Sequence, residues 1–104
     1  MATKYQAFTQ GKTFTQCNFD RNVYKSIKKH QNYVFELVDS GLFLCATCTF
    51  DGFNACDMKI TAVMKNNEDL DEEEFYINYD YVNYDAIYYT SFAYREKCIV
   101  YALA

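Results

Sequence analysis

The chain reads as an α+β fold dominated by an antiparallel sheet, and three observations predict it. Tyrosine (eleven) and phenylalanine (nine) are abundant while tryptophan and proline are absent, and ring side chains suit pleated, half-buried surfaces. Short apolar runs are punctuated by turn signals at Gln10-Gly11-Lys12, Asp39-Ser40-Gly41 and Asp51-Gly52. Finally, 104 residues, of which 51% are hydrophobic, suit one compact domain over 1–104 with a single core.

In chain order, Tyr5–Thr9 and Thr13–Phe19 are β-prone runs flanking Gln10-Gly11-Lys12, which predicts a hairpin. Asp20 is placed to cap a helix over Arg21–Gln31. There Val23, Tyr24 and Ile27 fall at helical spacing, Lys25, Lys28 and Lys29 face outward, and Asn32 is the stop. Tyr33–Val38 is a strand closed by Asp39-Ser40-Gly41. Leu42–Phe50 is nearly continuous in apolar or small residues, as a central strand would be. Ala55–Met64 alternates, with Cys56, Met58, Ile60, Ala62 and Met64 on one face and Asp57, Lys59 and Thr61 on the other. Three consecutive strands with tight turns predict a meander, and one or two short helices complete the α+β assignment.

Beyond Lys65 the pattern is less decisive. Asn66–Asp71 is a polar loop by composition. Glu73–Val82 admits a strand, with Phe75, Ile77, Tyr79 and Tyr81 inward. It also admits a helix, since Asp71 and Glu74 form the capping pattern D-x-x-E and early acids suit the helix dipole. Lys97–Leu103 is the last strand. Internal repeats are lacking, and three glycines are too few for a phosphate-cradling loop.

The net charge of −4 conceals a division. Residues 66–94 hold eight carboxylates and no lysine or arginine, while the rest of the chain holds ten basic and six acidic residues. Glu68, Asp69, Asp71, Glu72, Glu73, Glu74, Asp80 and Asp85 are interleaved with Tyr76, Tyr79, Tyr81 and Tyr84. An acidic face repels phosphates, which excludes direct binding to nucleic acid or an anionic membrane and points to a basic protein partner. No stretch approaches the roughly twenty apolar residues that cross a bilayer, and Met1–Lys12 lacks the apolar core of a signal peptide. A cytoplasmic location is therefore expected, and the five cysteines read as reduced thiols.

Catalytic and metal signatures are weak. Cys45 and Cys48 form C-x-x-C and Cys56 follows eight residues later. Zinc takes four tetrahedral ligands, but residues three apart on a strand point to opposite faces. Buried thiols are the expectation, no cofactor is expected, and a zinc protein with Cys45, Cys48 and Cys56 as ligands is the alternative. His30, the one histidine, follows Lys28-Lys29 and reads as a solvated helix-end residue. No G-x-S-x-G elbow occurs, and the acids of 68–74 lack the glycine of an EF-hand loop. The chain is not expected to be an enzyme.

Asp71-Glu72-Glu73-Glu74-Phe75-Tyr76 followed by Asn78 resembles the acidic patch of a small phage anti-CRISPR family. The resemblance spans 71–78. It implies a protein that blocks an RNA-guided nuclease by occupying its PAM-reading surface, with Asp71, Glu72, Glu73, Glu74 and Tyr76 as contacts and this segment on a helix. The expected function is thus a small acidic DNA mimic from a phage or mobile element, acting in the cytoplasm of an infected host cell. Its partner would be a basic nucleic-acid-binding protein of host defence or DNA processing. The carboxylates would stand in for phosphates and the tyrosines for bases. A non-catalytic module that self-associates through its aromatic surface is the further alternative.

Overall fold

A computed structural model describes residues 2–17, 28–51, 56–72, 76–78, 87–91 and 94–104, with side chains placed for 2–17, 28–49, 58–72 and 99–104. Among the described residues, one short helix, α1 (Lys4–Thr9), precedes eight strands: β1 (Phe14–Gln16), β2 (Asn32–Leu37), β3 (Leu42–Asp51), β4 (Cys56–Lys65), β5 (Glu68–Leu70), β6 (Tyr76–Asn78), β7 (Ile87–Ser91) and β8 (Tyr94–Leu103). All the strands belong to one antiparallel sheet in the order β5-β4-β3-β2-β8-β7-β6, with β1 also on β8. The architecture is mainly β rather than α+β.

The meander holds, and it runs one strand further than expected. β2 pairs β3 from Asn32↔Thr47 to Leu37↔Leu42, and the turn between them closes with Gly41 N–H donating to the Leu37 carbonyl at 2.9 Å. Gly41 has φ +72°, a left-handed conformation that glycine enters without steric cost. Residues 66–71 are not simply a loop. Asn66 and Asn67 carry φ of +52° and +63°, the two left-handed residues of a tight hairpin turn, and β5 returns along β4 from Lys65↔Glu68 to Val63↔Leu70. Asparagine tolerates that conformation better than other side chains, which is why the polar pair turns the chain instead of loosening it.

The other side of β2 is taken by β8, from Asn32↔Leu103 to Leu37↔Cys98. The far edge of β8 is divided: β7 occupies Tyr94–Cys98, and β1 occupies Tyr101–Leu103. Cα atoms of β6 come within 8 Å of β4, so the sheet curls and draws its two ends toward each other.

The predicted hairpin at Tyr5–Thr9 is replaced by α1. Thr3 accepts from the Gln6 backbone N–H at 3.1 Å and the Gln6 side chain accepts from the Thr3 N–H at 2.9 Å, a complete capping box. The β-prone side chains of Tyr5 and Phe8 then fall on one helical side and pack on the sheet. The expected helix over Arg21–Gln31 falls largely outside the described residues. Its end does not: Lys28 lies outside any helix and His30 sits in a turn with φ +72°.

Both sheet faces bury apolar side chains. One carries Cys17, Tyr33, Phe35, Leu37, Leu42, Leu44, Ala46, Cys48, Val63 and Val100. The other carries Val34, Cys45, Ala62 and Leu103 and is partly roofed by α1 through Tyr5 and Phe8. The uniform alternation expected along Ala55–Met64 fails at a bulge. Cys45 pairs Ala62 but Ala46 pairs Ile60, which leaves Thr61 as an extra residue. Met58 and Ile60 therefore pack on the Tyr33 face with Val63, while Ala62 joins the Cys45 face.

Candidate functional site

Among the described residues, two groups of polar side chains lie against α1. The first is the acidic edge. Glu68 and Asp69 lie on the exposed strand β5, Asp71 is exposed just beyond it, and Glu72 is half-buried. Asp69 accepts from the Lys4 backbone N–H with both carboxylate oxygens, at 3.0 and 3.1 Å. Lys4 Nζ lies 3.3 Å from Glu72 Oε2. Hydrogen bonding from its own backbone N–H, followed by Lys4, holds the Glu72 carboxyl below its ordinary pKa. Two of the acids expected to meet a partner are thus already engaged by the protein's own first helical residue.

Of the remaining expected contacts, Tyr76 lies in strand β6. The helix that the anti-CRISPR resemblance implied is therefore not formed at Tyr76–Asn78; those residues pair with Tyr88–Thr90 of β7 instead. Glu73, Glu74, Tyr79, Asp80, Tyr81, Tyr84 and Asp85 lie outside the described residues.

The zinc alternative meets a geometric obstacle. Cys45 and Cys48 are both fully buried but belong to opposite faces of the sheet, so they cannot share one ion. Burial, with a smaller contribution from Asp69, pushes the Cys45 thiol up to about 12, far from the thiolate that a metal binds. The Cys56 side chain lies outside the described residues. Among the described residues no group of three or more cysteine, histidine or acidic side chains could hold a metal ion.

The second group was not anticipated. Glu36 lies on β2, between β3 and β8, opposite Phe43 on one side and Ile99 on the other. Its Oε2 accepts from the Tyr101 hydroxyl at 3.2 Å. Tyr5 of α1 packs edge-on against Phe43, ring centroids 5.6 Å apart, and Phe14 lies 5.9 Å from Tyr101. Burial first, then Cys45, Glu36 and Tyr101, raise the Tyr5 phenol above its ordinary pKa, so its hydroxyl shares this neighbourhood. Tyr101 is raised for the same reasons, burial and then Glu36. Glu36, Phe43, Tyr5 and Tyr101 are all half-buried, each with a side open to water. The sequence did carry a signal: Glu36 is the one charge within the apolar strand Asn32–Leu37, and a carboxylate in a central strand calls for a reason.

No protein-family model matches the chain, and neither a curated protein nor a solved structure matches it.

Proposed function

We propose that this protein is a non-catalytic inhibitor whose acidic side docks on the basic nucleic-acid-binding surface of another protein, an RNA-guided nuclease or a related host enzyme. The supporting observation is the run Glu68, Asp69, Asp71 and Glu72, carried by an edge strand and its exit, with all but Glu72 exposed. A strand advances about 3.4 Å per residue with successive side chains on opposite faces, so acids on one face of a β edge recur about every 6.8 Å, roughly two axial phosphate steps of one DNA strand. In this reading Glu73, Glu74, Asp80 and Asp85 extend the charge, and Tyr76, Tyr79, Tyr81 and Tyr84 take the place of bases. Because Asp69 and Glu72 also secure α1, Glu68 is the acid whose reversal disturbs the surface without loosening the helix.

A competition assay tests this reading. A guide-loaded RNA-guided nuclease is incubated with labelled duplex DNA and increasing protein. The expected result is displacement of DNA at low ionic strength, fading as salt rises. Combining Glu68→Lys with Glu73→Lys and Glu74→Lys should abolish displacement while the circular dichroism stays unchanged. DNA and protein bound together, or a triple variant that competes as well as the original chain, overturns the proposal.

A further inference from the structure

We infer that the Glu36 cluster is a receptor for a single guanidinium group, the side chain of an arginine on a partner protein. A carboxylate withdrawn from water usually has a cation beside it, because desolvation of the charge is otherwise uncompensated. Glu36 is half-buried in the middle of the sheet, yet among the described residues its hydrogen-bond partner is a neutral phenol. The ion pair found among them joins Lys4 to Glu72 instead.

Apart from Ile99 opposite it on β8, the described side chains placed around Glu36 include three rings. Phe43 stands directly across on β3, Tyr101 lies diagonally on β8, and Tyr5 reaches over from α1 against Phe43. Aromatic faces carry the negative end of the ring quadrupole and attract cations. A carboxylate among rings therefore selects for an organic cation that is both charged and flat. Guanidinium satisfies both demands: its fork bonds a carboxylate at two points, its plane stacks on rings, and it is more weakly hydrated than ammonium. The Tyr101 hydroxyl occupies one lone pair of Oε2, and a carboxylate offers about four acceptor sites. Acceptor capacity remains for a bidentate ligand. Among the described residues no group of carboxylate, cysteine or histidine ligands forms here that could hold a metal ion.

The inference depends on the proposed function only for the source of the arginine; the receptor itself stands on the geometry of Glu36. N-acetylarginine methylamide is the probe, titrated into the full chain and followed by the aromatic NMR signals of Tyr5, Phe43 and Tyr101. A saturable shift of those signals is expected. Glu36→Gln, nearly isosteric, should weaken binding about tenfold or more, since the charged hydrogen bonds become neutral ones. Tyr5→Leu keeps an apolar helix face and should weaken it about threefold through loss of one ring. Glu68→Lys should leave the probe's affinity unchanged although it impairs the competition with DNA, so the two proposals fail separately. The receptor is overturned if no saturable shift occurs or if Glu36→Gln binds equally well. The preference for guanidinium is overturned if N-acetyllysine methylamide binds as tightly.

Discussion

The two faces of the sheet come from the same strands and have opposite characters. On one, Tyr33, Phe35, Leu37, Leu44, Ala46, Cys48, Val63 and Val100 are fully enclosed. On the other, Val34, Cys45, Ala62 and Leu103 are partly roofed by a helix of six residues, none of them buried, and Glu36 and the rings beside it keep contact with water. Alternation along β2 and β3 makes both at once, because each residue that deepens one face leaves its neighbour on the other. The lesson is a division of labour. The enclosed face supplies the apolar burial that offsets chain entropy, which leaves the roofed face free to carry polar groups that a core could not accept.

The sharpest way to break this comparison is by truncation. Phe35→Ala should cost about 3–5 kcal/mol of unfolding free energy, read from denaturant midpoints. Phe43→Ala, one strand away on the roofed face and half-buried, should cost less than half as much. Equal losses would erase the distinction.

A second, smaller effect appears in alkali. The folded Cys45 keeps its proton until about 12, against about 9 when unfolded. The folded state then binds the proton more tightly, so stability falls as pH rises from 9 toward 12. Tyr5 and Tyr101, also raised, act in the same direction. Melting temperatures at pH 7 to 10.5 should therefore decline, and Cys45→Ala should make the decline shallower. An unchanged slope would contradict the burial of that thiol.

The smallest effect tests how the roof is fastened. Asp69→Asn removes the charge that accepts the Lys4 N–H, and should cost about 1 kcal/mol or less, as helix-terminal carboxylates do. Amide exchange at Lys4 should quicken more than exchange at Phe35. Uniform change across both would mean that α1 is not a separately opening part.

What could be read from the residues follows from where the determining forces lie. β2, β3 and the turn at Asp39-Ser40-Gly41 were legible because they depend on side-chain type and neighbouring positions. α1 was missed because Tyr5, Phe8 and Thr9 favour strands; the Thr3–Gln6 capping pattern was there to be read, but the added anchor of Lys4 N–H on Asp69 is distant in sequence. The bulge at Thr61 leaves no trace in the alternation it interrupts; only pairing with Cys45 and Ala46 reveals it. The acidic stretch was visible in composition, but its attachment to Lys4 was not. Glu36 was visible as an odd charge, whereas its ring of aromatics is assembled from α1, β3 and β8 and exists only after folding.

The pairing of β8 also governs how the chain can assemble. Strands β2 to β5 can zip together through short turns as soon as they are made. β1 and one whole side of β2, Asn32–Leu37, must wait for residues 98–103, which follow β2 to β5 in the chain. Until then an apolar ribbon stands with its backbone groups unpaired, the situation in which chains stick to one another. A slow step, limited by closure of that long loop, is the kinetic consequence of placing the central strand's partner so far along the chain from it.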